Sequence, residues 1–270
     1  MKFSIVTISY NQAQFLEQAI RSVIEQDYPD VEYIVVDPGS TDGSREIIER
    51  YRDRIDKIIF EPDNGPADGL NKGFAQATGD IFGFLNSDDY LLPGALATVA
   101  SEFATAPWKD VLSGHAVIVD AEGRELNRFY SRRFSLMRYV YGAATLAQQS
   151  TFFRNAAFGK AGQFNIHNKI AWDGELWVDL ALSGAKFGRI PAFLSSFRIY
   201  SDSITGSGKY KDALERYKEE MFLKMKGRKW QARDNLLRLF FKGVEYGIHP
   251  RLGMVRLLRG PIVSVQGRST

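Results

Sequence analysis

Residues 81–93 read Ile-Phe-Gly-Phe-Leu-Asn-Ser-Asp-Asp-Tyr-Leu-Leu-Pro, an apolar run of strand length that ends abruptly in polar side chains. Such a run is typical of a buried strand in an α/β sheet, and ligands bind beyond the carboxyl ends of such strands. Asp88 and Asp89 would repel each other there unless a cation lies beside them. The stretch predicts either a Mg²⁺ or Mn²⁺ site that also holds a diphosphate, or a turn that caps a helix starting near Pro93.

The residues before this stretch repeat a strand-then-helix pattern. Each apolar run is followed by polar residues and then by a segment of helical periodicity. Asn11 is expected to cap the first of these helices. This rhythm predicts a parallel sheet with right-handed crossovers and a nucleotide site at its polar edge. The predicted elements are strands 3–8, 31–36 and 57–60 and helices at about 11–26, at about 44–52, and from the end of the loop 61–66 to about 77.

Seven short motifs, taken in their order and spacing, resemble those of family 2 glycosyltransferases with the GT-A fold. The resemblance covers about residues 3–207 and implies an α/β fold with a mixed, mainly parallel sheet flanked by helices. It also implies a nucleotide-sugar donor, a divalent metal, and transfer of the sugar to an acceptor hydroxyl with inversion. The motifs are Ser4–Asn11, Val35–Ser44, Glu61–Gly65, Asp68–Gly73, Leu85–Asp89, Gln148–Arg154 and Trp172–Trp177.

The resemblance assigns the nucleotide base to residues after the first two strands. Asp37 is expected to accept the imide N–H of uracil or thymine, and Ser9 and Tyr10 are expected to line the same pocket. The alternative for Asp37 is a turn or helix-capping role, because Asp commonly accepts hydrogen bonds from nearby backbone N–H groups. For Tyr10 the alternative is packing beneath the pocket.

Further donor contacts are implied along the next two motifs. Asp68 is expected to bind sugar hydroxyls and Lys72 a phosphate, although their i,i+4 spacing also fits a surface ion pair. Asn86 is expected at the ribose or the diphosphate, and Ser87 is placed among the substrate-binding residues. Members of the family often carry Asp where this chain has Asn86 and where it has Pro38, so the details of the ribose and base contacts stay open.

The carboxylate pair is the expected metal site for Mg²⁺ or Mn²⁺. Asp88 is the expected direct ligand, and Asp89 is expected either to support the metal through water or to fix the loop. A metal there would neutralise the charge that grows on the departing nucleoside diphosphate. Tyr200 stands where many relatives place His, and a neutral tyrosine is a poor metal ligand. Metal affinity is therefore expected to depend more on the diphosphate itself.

The second half of the chain is expected to bind the acceptor. Residues 110–119 and 125–130 alternate like an antiparallel pair, with a turn at 120–123, and further elements are expected as a strand at 149–153 and a helix at about 171–183.

The resemblance implies that Asp173 is the catalytic base, which removes the proton from the acceptor hydroxyl. Glu175 is the second candidate, although we expect it to face solvent. Gln148 and Gln149 are expected either to orient the donor sugar or to satisfy backbone groups.

The segment 197–208 resembles a mobile loop over the pyrophosphate, with Arg198 as its cation and Gly206-Ser-Gly208 as a hinge. A simple flexible linker is the alternative.

Composition and charge agree with one catalytic domain and an appendage. The chain has 270 residues, 44% of them hydrophobic, and no cysteine, which excludes disulfides and thiolate zinc sites. Its three histidines (His115, His167 and His249) form no convincing metal cluster. We see no signal peptide and no apolar run of spanning length, and therefore expect a cytoplasmic protein, with the inner membrane face as a further location.

The predicted domains are a GT-A catalytic domain over 1–208, with a nucleotide-binding half (1–100) and an acceptor half (101–208), and a helical extension over 209–270. The extension is basic, with 15 Lys and Arg against 6 Asp and Glu, a net charge of +9. Its basic amphipathic helices fit either an anionic membrane surface or packing on the catalytic domain or on a second subunit. A homodimer stays open, and no nucleic-acid motif accompanies the charge.

The sequence thus predicts an inverting, metal-dependent transferase of a UDP- or dTDP-sugar. The acceptor would be a glycan or lipid-linked glycan in cell-surface polysaccharide assembly, such as O-antigen or exopolysaccharide. Two other classes are considered. One is a non-catalytic sugar-nucleotide-binding module. The other is a sugar nucleotidyltransferase, for which a glycine-rich triphosphate loop is expected near residue 10, where Ser9-Tyr-Asn11 lacks it.

Overall fold

A mixed sheet of nine strands with helices on both faces forms the centre of the part of the chain that the computed structural model describes, residues 1–201, 203 and 210–248. The strand order is β3-β2-β1-β4-β8-β6-β9-β5, and β7 pairs with β6. The strands are β1 (Phe3–Ile8), β2 (Val31–Val36), β3 (Lys57–Ile59), β4 (Ile81–Asn86), β5 (Tyr90–Leu91), β6 (Val111–Val119), β7 (Glu125–Phe129), β8 (Thr151–Arg154) and β9 (Phe187–Arg198).

Helices connect these strands and extend the chain beyond them. Short 3-10 turns also occur at Arg52–Arg54 and Gln148–Ser150. The helices are α1 (Ala13–Ile24), α2 (Ser44–Arg50), α3 (Pro66–Ala75), α4 (Ala95–Thr105), α5 (Leu136–Val140), α6 (Asn155–Ala161), α7 (Trp172–Leu182), α8 (Lys211–Lys226) and α9 (Ala232–Ile248). The strands, helices and order predicted for the first hundred residues are confirmed, with ends that differ by a few residues.

The parallel register of the first strands brings their carboxyl ends to one edge of the sheet. β1 lies between β2 and β4, and its last residue, Ile8, is level with Val36 and with Asn86. Because parallel strands end on the same side, the polar residues that follow each of them are neighbours in space. Ser9, Asp37 and Asn86, three of the predicted donor residues, are brought together in this way.

Close packing of α3 on β1 explains a glycine of the fourth motif. A Cβ atom on Gly73 would lie 2.5 Å from Cγ1 of Val6 and 3.4 Å from Cγ2 of Val36. A larger side chain would push the helix away from the sheet. Gly73 therefore sets the distance between α3 and the strands that carry the nucleotide end of the sheet.

The start of α1 differs from the prediction. Asn11 does not cap the helix: its φ is 51°, and its Oδ1 accepts the N–H of Thr41 at 2.9 Å. The N–H of Ala13, at the first helical position, donates instead to Oδ2 of Asp42 at 2.8 Å. The loop after β2 thus supplies the cap, which fastens that loop to the loop after β1.

The antiparallel pair predicted for the second half is confirmed as β6 and β7, but the longest strand of that half was missed. β9 spans twelve residues and pairs in parallel with β6. Its sequence contains Gly188 and Pro191, two residues that disfavour strand interiors. The register shifts at His115 in the partner strand, and such irregularities let an interrupted strand keep its pairing.

The C-terminal helices pack on the catalytic part as far as the structure describes them. The ring of Tyr141 contacts those of Phe222, Trp230 and Phe241, and its hydroxyl donates to Asp234 at 2.9 Å. This contact supports the packing interpretation of residues 210–248. Residues 204–209, with the expected hinge, and 249–270, with His249, lie outside the described residues. Among the described helices, none is both long and apolar enough to cross a membrane.

Helix α8 also touches the helix that carries the expected base. Nζ of Lys224 lies 2.6 Å from the carboxylate of Asp179 in α7. The hydroxyls of Tyr139 and Tyr217 are 3.2 Å apart and lie directly over Gly174, in the first turn of α7. The extension therefore helps to hold α7 in place.

We predict that Gly174→Ala lowers the free energy of unfolding by about 1–3 kcal/mol, because the added Cβ overlaps the Tyr139 hydroxyl and lies 2.7 Å from that of Tyr217. The loss should shrink in a Tyr139→Phe/Tyr217→Phe background, where both hydroxyls are gone. Denaturant titration of all four proteins measures this coupling. Gly159→Ala is the matched control, since its Cβ would meet nothing within 4 Å. An equal loss in both backgrounds would contradict the packing of α8 on α7.

Candidate active site

Two cavities share a wall at the polar edge of the sheet. The larger, of about 520 Å³, lies at the ends of β1 and β4, and the smaller, of about 180 Å³, lies between β6, β9, the turn at Gln148–Ser150 and the start of α7. Asn86 and Trp172 line both. Two polar substrates bound in neighbouring cavities would therefore meet at these two side chains.

Ser9, Tyr10 and Ser87 all line the larger cavity, as the sequence predicted for substrate-binding residues. Tyr10 is 62% exposed, so its ring is open to a ligand rather than packed beneath the pocket. Oγ of Ser9 is buried and has no hydrogen-bond partner within the described residues. A buried hydroxyl without a partner is uncommon, and a bound polar ligand would satisfy it.

Asp37 is fully buried behind this cavity. Its Oδ1 accepts hydrogen bonds from the N–H groups of Gly39 (3.1 Å) and Ser40 (2.8 Å) and from Nε of Arg45 (3.2 Å). This is the turn geometry that the alternative interpretation predicts. Its Oδ2 is buried and lacks a partner in the described part of the chain, so one carboxylate oxygen is left for a ligand.

Asn86 lies between the two cavities and is held by Gln148. Its Nδ2 donates to Oε1 of Gln148 at 3.4 Å, and Gln148 in turn donates to the carbonyl of Phe84 at 2.8 Å. Oδ1 of Asn86 is buried without a partner among the described residues. Gln149 lines the smaller cavity and donates to the carbonyl of Ser196 at 3.4 Å. Both glutamines thus satisfy backbone groups at the site.

Asp88 lies on the wall of the larger cavity, beside Tyr200. The Tyr200 hydroxyl is 3.2 Å from Oδ2 of Asp88 and 3.2 Å from Oε1 of Gln12. Burial raises the pKa of the Asp88 carboxyl above its usual range, which a nearby cation would reverse. Tyr200 therefore occupies the position next to the carboxylate as a hydrogen-bond donor.

Asp89 lines neither of the two cavities, and it fixes the loop. It is buried, and its Oδ1 accepts the backbone N–H of Arg198 at 2.8 Å. Burial, together with the neighbouring Asp88, raises the pKa of its carboxyl well above the usual range. Of the two roles expected for Asp89, this position favours the loop-fixing one over metal binding.

Arg198 was expected within a loop over the pyrophosphate, but it is the last residue of β9. Its side chain is buried and does not line the larger cavity. Its guanidinium donates to the carbonyls of Asp88 (2.8 Å), Asp120 (3.0 Å) and Ala121 (2.7 Å) and to Oε1 of Gln18 (2.6 Å). Bonds to these four oxygens hold the Asp88 loop and engage the guanidinium with protein groups.

Asp68 and Lys72 lie outside both cavities. Oδ2 of Asp68 accepts the backbone N–H of Asn64 at 2.8 Å, and Nζ of Lys72 donates to the carbonyl of Pro62. Both side chains thus fold the preceding loop back on α3, and no ion pair joins these two described residues. Asp63 and Gly65 of the same loop line the larger cavity, so Asp68 and Lys72 support the wall from behind.

Asp173 lines the smaller cavity in the first turn of α7, as expected for the base. Burial raises the pKa of its carboxyl above the usual range. A raised pKa suits a group that must take a proton at neutral pH.

Glu175, in contrast, does not face solvent as the sequence predicted. It is buried and accepts hydrogen bonds from Nδ2 of Asn165 (3.1 Å) and of Asn168 (2.8 Å), and Lys224 lies 3.7 Å away. These contacts tie down the loop before α7 and give Glu175 a structural role.

Sequence reasoning missed Arg45, Gln12 and Lys169. Arg45 follows the first residue of α2 and reaches back to Asp37 at the end of β2. Gln12 lines the larger cavity just before α1. Nζ of Lys169 donates to the carbonyl of Asn64 at the rim of the same cavity. Of the three, only Arg45 could have been found from the sequence, because it lies in the first turn of a predicted helix close to Asp37. The positions of Gln12 and Lys169 at the cavity depend on contacts between residues that are distant in sequence.

The residues present fit a divalent cation only together with a ligand. No group of three or more His, Cys, Asp or Glu that could hold a metal occurs among the described residues. Asp88 supplies one carboxylate at the cavity wall, and Mg²⁺ is commonly bound by one or two carboxylates and the phosphates of a substrate. The donor set therefore suits a metal that is completed by a diphosphate.

Comparison with known proteins places this geometry in a family. The family model "Glycosyl transferase family 2" matches residues 4–168. An uncharacterized glycosyltransferase of Nostoc sp. is 37% identical over 131 residues, which cover 47% of this chain and 40% of that protein. The putative teichuronic acid biosynthesis glycosyltransferase TuaG of Bacillus subtilis is 28% identical over 214 residues, covering 78% of this chain and 83% of TuaG. The chain thus spans less than half of the first relative and most of the second.

The fold is also found in a solved structure. The crystal structure of S. aureus TarS 1-349 in complex with UDP-GlcNAc aligns with a TM-score of 0.66 at 21% identity, over 97% of this chain and 77% of that one. This likeness shows the GT-A architecture. The family model covers more than half of the chain and includes both the parallel strands and the Asp88 loop. The chain therefore belongs to glycosyl transferase family 2, a family of glycosyltransferases.

Proposed function

We propose that the protein transfers a sugar from a UDP- or dTDP-sugar to an acceptor hydroxyl with inversion, in cell-surface polysaccharide assembly. The observation that carries this is the pair of adjoining cavities, one lined by Asp88 and the other by Asp173. The nucleoside diphosphate would occupy the larger cavity and the acceptor hydroxyl the smaller one. The reacting sugar would then lie against the shared wall of Asn86 and Trp172.

The proposed reaction is a single displacement. Asp173 takes the proton from the acceptor hydroxyl as that oxygen attacks the anomeric carbon. The bond between the anomeric carbon and the diphosphate oxygen breaks at the same time, and the nucleoside diphosphate leaves with the bonding electrons. Attack from the opposite side to the leaving group inverts the anomeric centre, through a transition state of oxocarbenium character.

The donor is held by polar atoms that lack partners within the described protein. Oδ2 of Asp37 would accept the imide N–H of the base, and Oγ of Ser9 and Oδ1 of Asn86 would meet polar atoms of the nucleotide or sugar. Lys169, at the cavity rim, is the cation that we propose for the diphosphate in place of Arg198. Asp88 would hold Mg²⁺ or Mn²⁺, which when bound supplies positive charge for the leaving diphosphate.

The acceptor is proposed to be a growing surface glycan or a lipid-linked glycan. The name of TuaG places that relative in teichuronic acid biosynthesis, and TarS was crystallised with UDP-GlcNAc. These names support a polysaccharide acceptor and a uridine-based donor for this chain. The proposed location is the cytoplasm, where nucleotide sugars are made.

We predict that Asp173→Asn lowers kcat by about 10²- to 10⁴-fold, the usual contribution of a general base, while donor affinity is unchanged. Burial raises the pKa of Asp173, and the base acts as a carboxylate. Activity should therefore fall as the pH drops through a value above about 4, the ordinary pKa of Asp. Transfer rates across pH and calorimetric titration of the donor measure both effects.

Glu175→Gln is the comparison for this base assignment. Because Glu175 is held by Asn165 and Asn168, its replacement should change kcat far less than Asp173→Asn. The opposite order of the two variants would transfer the role of base to Glu175. Donor binding without transfer by the unmodified protein to any glycan acceptor would instead favour the sugar-nucleotide-binding module.

A second prediction concerns recognition of the nucleotide base by Asp37. In Asp37→Asn, the amide oxygen should keep the three donors around Oδ1, so Nδ2 replaces the acceptor Oδ2. UDP affinity should fall about tenfold, and CDP should weaken less or gain, since cytosine offers an acceptor at N3. Calorimetry with both nucleotides gives the ratio, and Asp27→Asn, on an exposed loop, is the control. Equal loss for UDP and CDP would show that Asp37 does not contact the base.

A third prediction concerns the metal. Asp88→Ala should remove the part of UDP affinity that depends on Mn²⁺ and leave the affinity measured with chelator unchanged, because only the carboxylate is lost. Titrations with Mn²⁺ and with chelator separate the two parts. Asp53→Ala, which alters an exposed carboxylate, should retain the full Mn²⁺ dependence. Unchanged Mn²⁺ dependence in Asp88→Ala would eliminate this metal site.

A further inference from the structure

One side of helix α9 presents apolar side chains to solvent. Leu236 is 70% exposed, Leu239 66% and Phe240 62%. These residues are three and four positions apart, so they lie on one side of the helix. We call them the α9 outer face. A contiguous exposed apolar surface of this kind marks a contact site, unlike the single exposed residues that every protein has.

The opposite side of the same helix already makes the fold contacts. Asp234 is fully buried, paired with Arg228 at 2.7 Å and with the Tyr141 hydroxyl at 2.9 Å, and the ring of Phe241 stacks on that of Tyr141. Packing on the catalytic part thus uses the inner side of α9. The apolar character of the α9 outer face is left unexplained by the intramolecular contacts of the described residues.

The charge near the α9 outer face distinguishes between two candidate partners, a second copy of the chain and an anionic lipid surface. Residues 226–259 contain nine Lys and Arg against two Asp and Glu, and Arg233 and Arg238 are exposed on α9 itself. A second copy of the chain would bring two such basic surfaces together, which costs free energy. An anionic lipid surface complements the charge and also takes up the apolar side chains.

We propose that the α9 outer face, together with Arg233 on the same side of the helix, docks on an anionic phospholipid surface. The helix of 17 residues would lie parallel to the membrane over about 25 Å, with Leu236, Leu239 and Phe240 among the acyl chains and Arg233 at the headgroups. The contact is peripheral and reversible. Through α8 it would place the start of α7, with Asp173, at a defined distance from the membrane.

Vesicle flotation of the full chain tests this docking. The protein is mixed with vesicles of phosphatidylcholine alone or of phosphatidylcholine with phosphatidylglycerol, and the floated fraction is measured at several salt concentrations. We expect flotation with the anionic vesicles and little with the neutral ones. Binding should weaken as salt rises, because added ions screen the attraction between Arg233 and the headgroups.

Three variants assign the binding to residues. The triple replacement Leu236→Ser/Leu239→Ser/Phe240→Ser should lower vesicle affinity at least about tenfold, since three apolar side chains no longer leave water. Arg233→Glu should lower the affinity for anionic vesicles. Trp108→Ser, which removes a 65% exposed aromatic in the catalytic part, is the matched control and should bind like the unmodified chain. Circular dichroism melting confirms that each variant is folded.

Several results would overturn the proposal. These are absence of flotation with both vesicles, equal flotation of the triple variant and the unmodified chain, and equal binding to neutral and anionic vesicles. A dimer in light scattering that the triple variant converts to a monomer would assign the face to a second copy. Flotation needs neither donor nor metal, so its failure leaves the proposed transfer reaction untouched, and failure of transfer leaves the docking intact.

Discussion

The buried guanidinium of Arg198 is the contact on which the site depends. It bridges the carbonyl of Asp88, the carbonyls of the turn between β6 and β7, and Gln18 of α1, while its own backbone N–H binds Asp89. A buried charge that loses its partners costs several kcal/mol, so all of these groups are held in one arrangement. The orientation of Asp88 towards the cavity is thus set by a cation that never reaches the cavity itself.

Three buried polar atoms that lack a partner among the described residues lie where the parallel strands end. Oγ of Ser9, Oδ2 of Asp37 and Oδ1 of Asn86 each follow or end a different strand of the first four. Leaving such groups unpaired in the interior destabilises a fold, so their alignment at one edge indicates a surface prepared for a polar ligand. The same parallel register that builds the sheet therefore also concentrates unsatisfied acceptors for the nucleotide.

The local patterns were readable from sequence and the distant contacts were not. Apolar runs and the polar residues after them located β1 to β4 and put Ser9, Asn86 and Asp88 at the polar edge of the sheet, where they line the larger cavity, since each signal lies within a few residues. Arg198 was misplaced because the oxygens that bind it come from Gln18, Asp88 and the 120–121 turn, far away in the chain. Glu175 was expected to face solvent because its sequence surroundings do not indicate that it is buried. The hydrogen bonds from Asn165 and Asn168 that compensate this burial are visible only in the structure.

The shared wall of Asn86 and Trp172 has a consequence for how this protein can diverge. Both side chains face the two cavities at once, so a substitution at either changes the surroundings of donor and acceptor together. Selection for a new acceptor through these positions carries a change in donor affinity with it. Substitutions at residues that line one cavity alone can change the binding of one substrate without the other. Phe129 and Leu146 line only the smaller cavity, and Gln12 lines only the larger one. Relatives with new linkages are expected to vary there first.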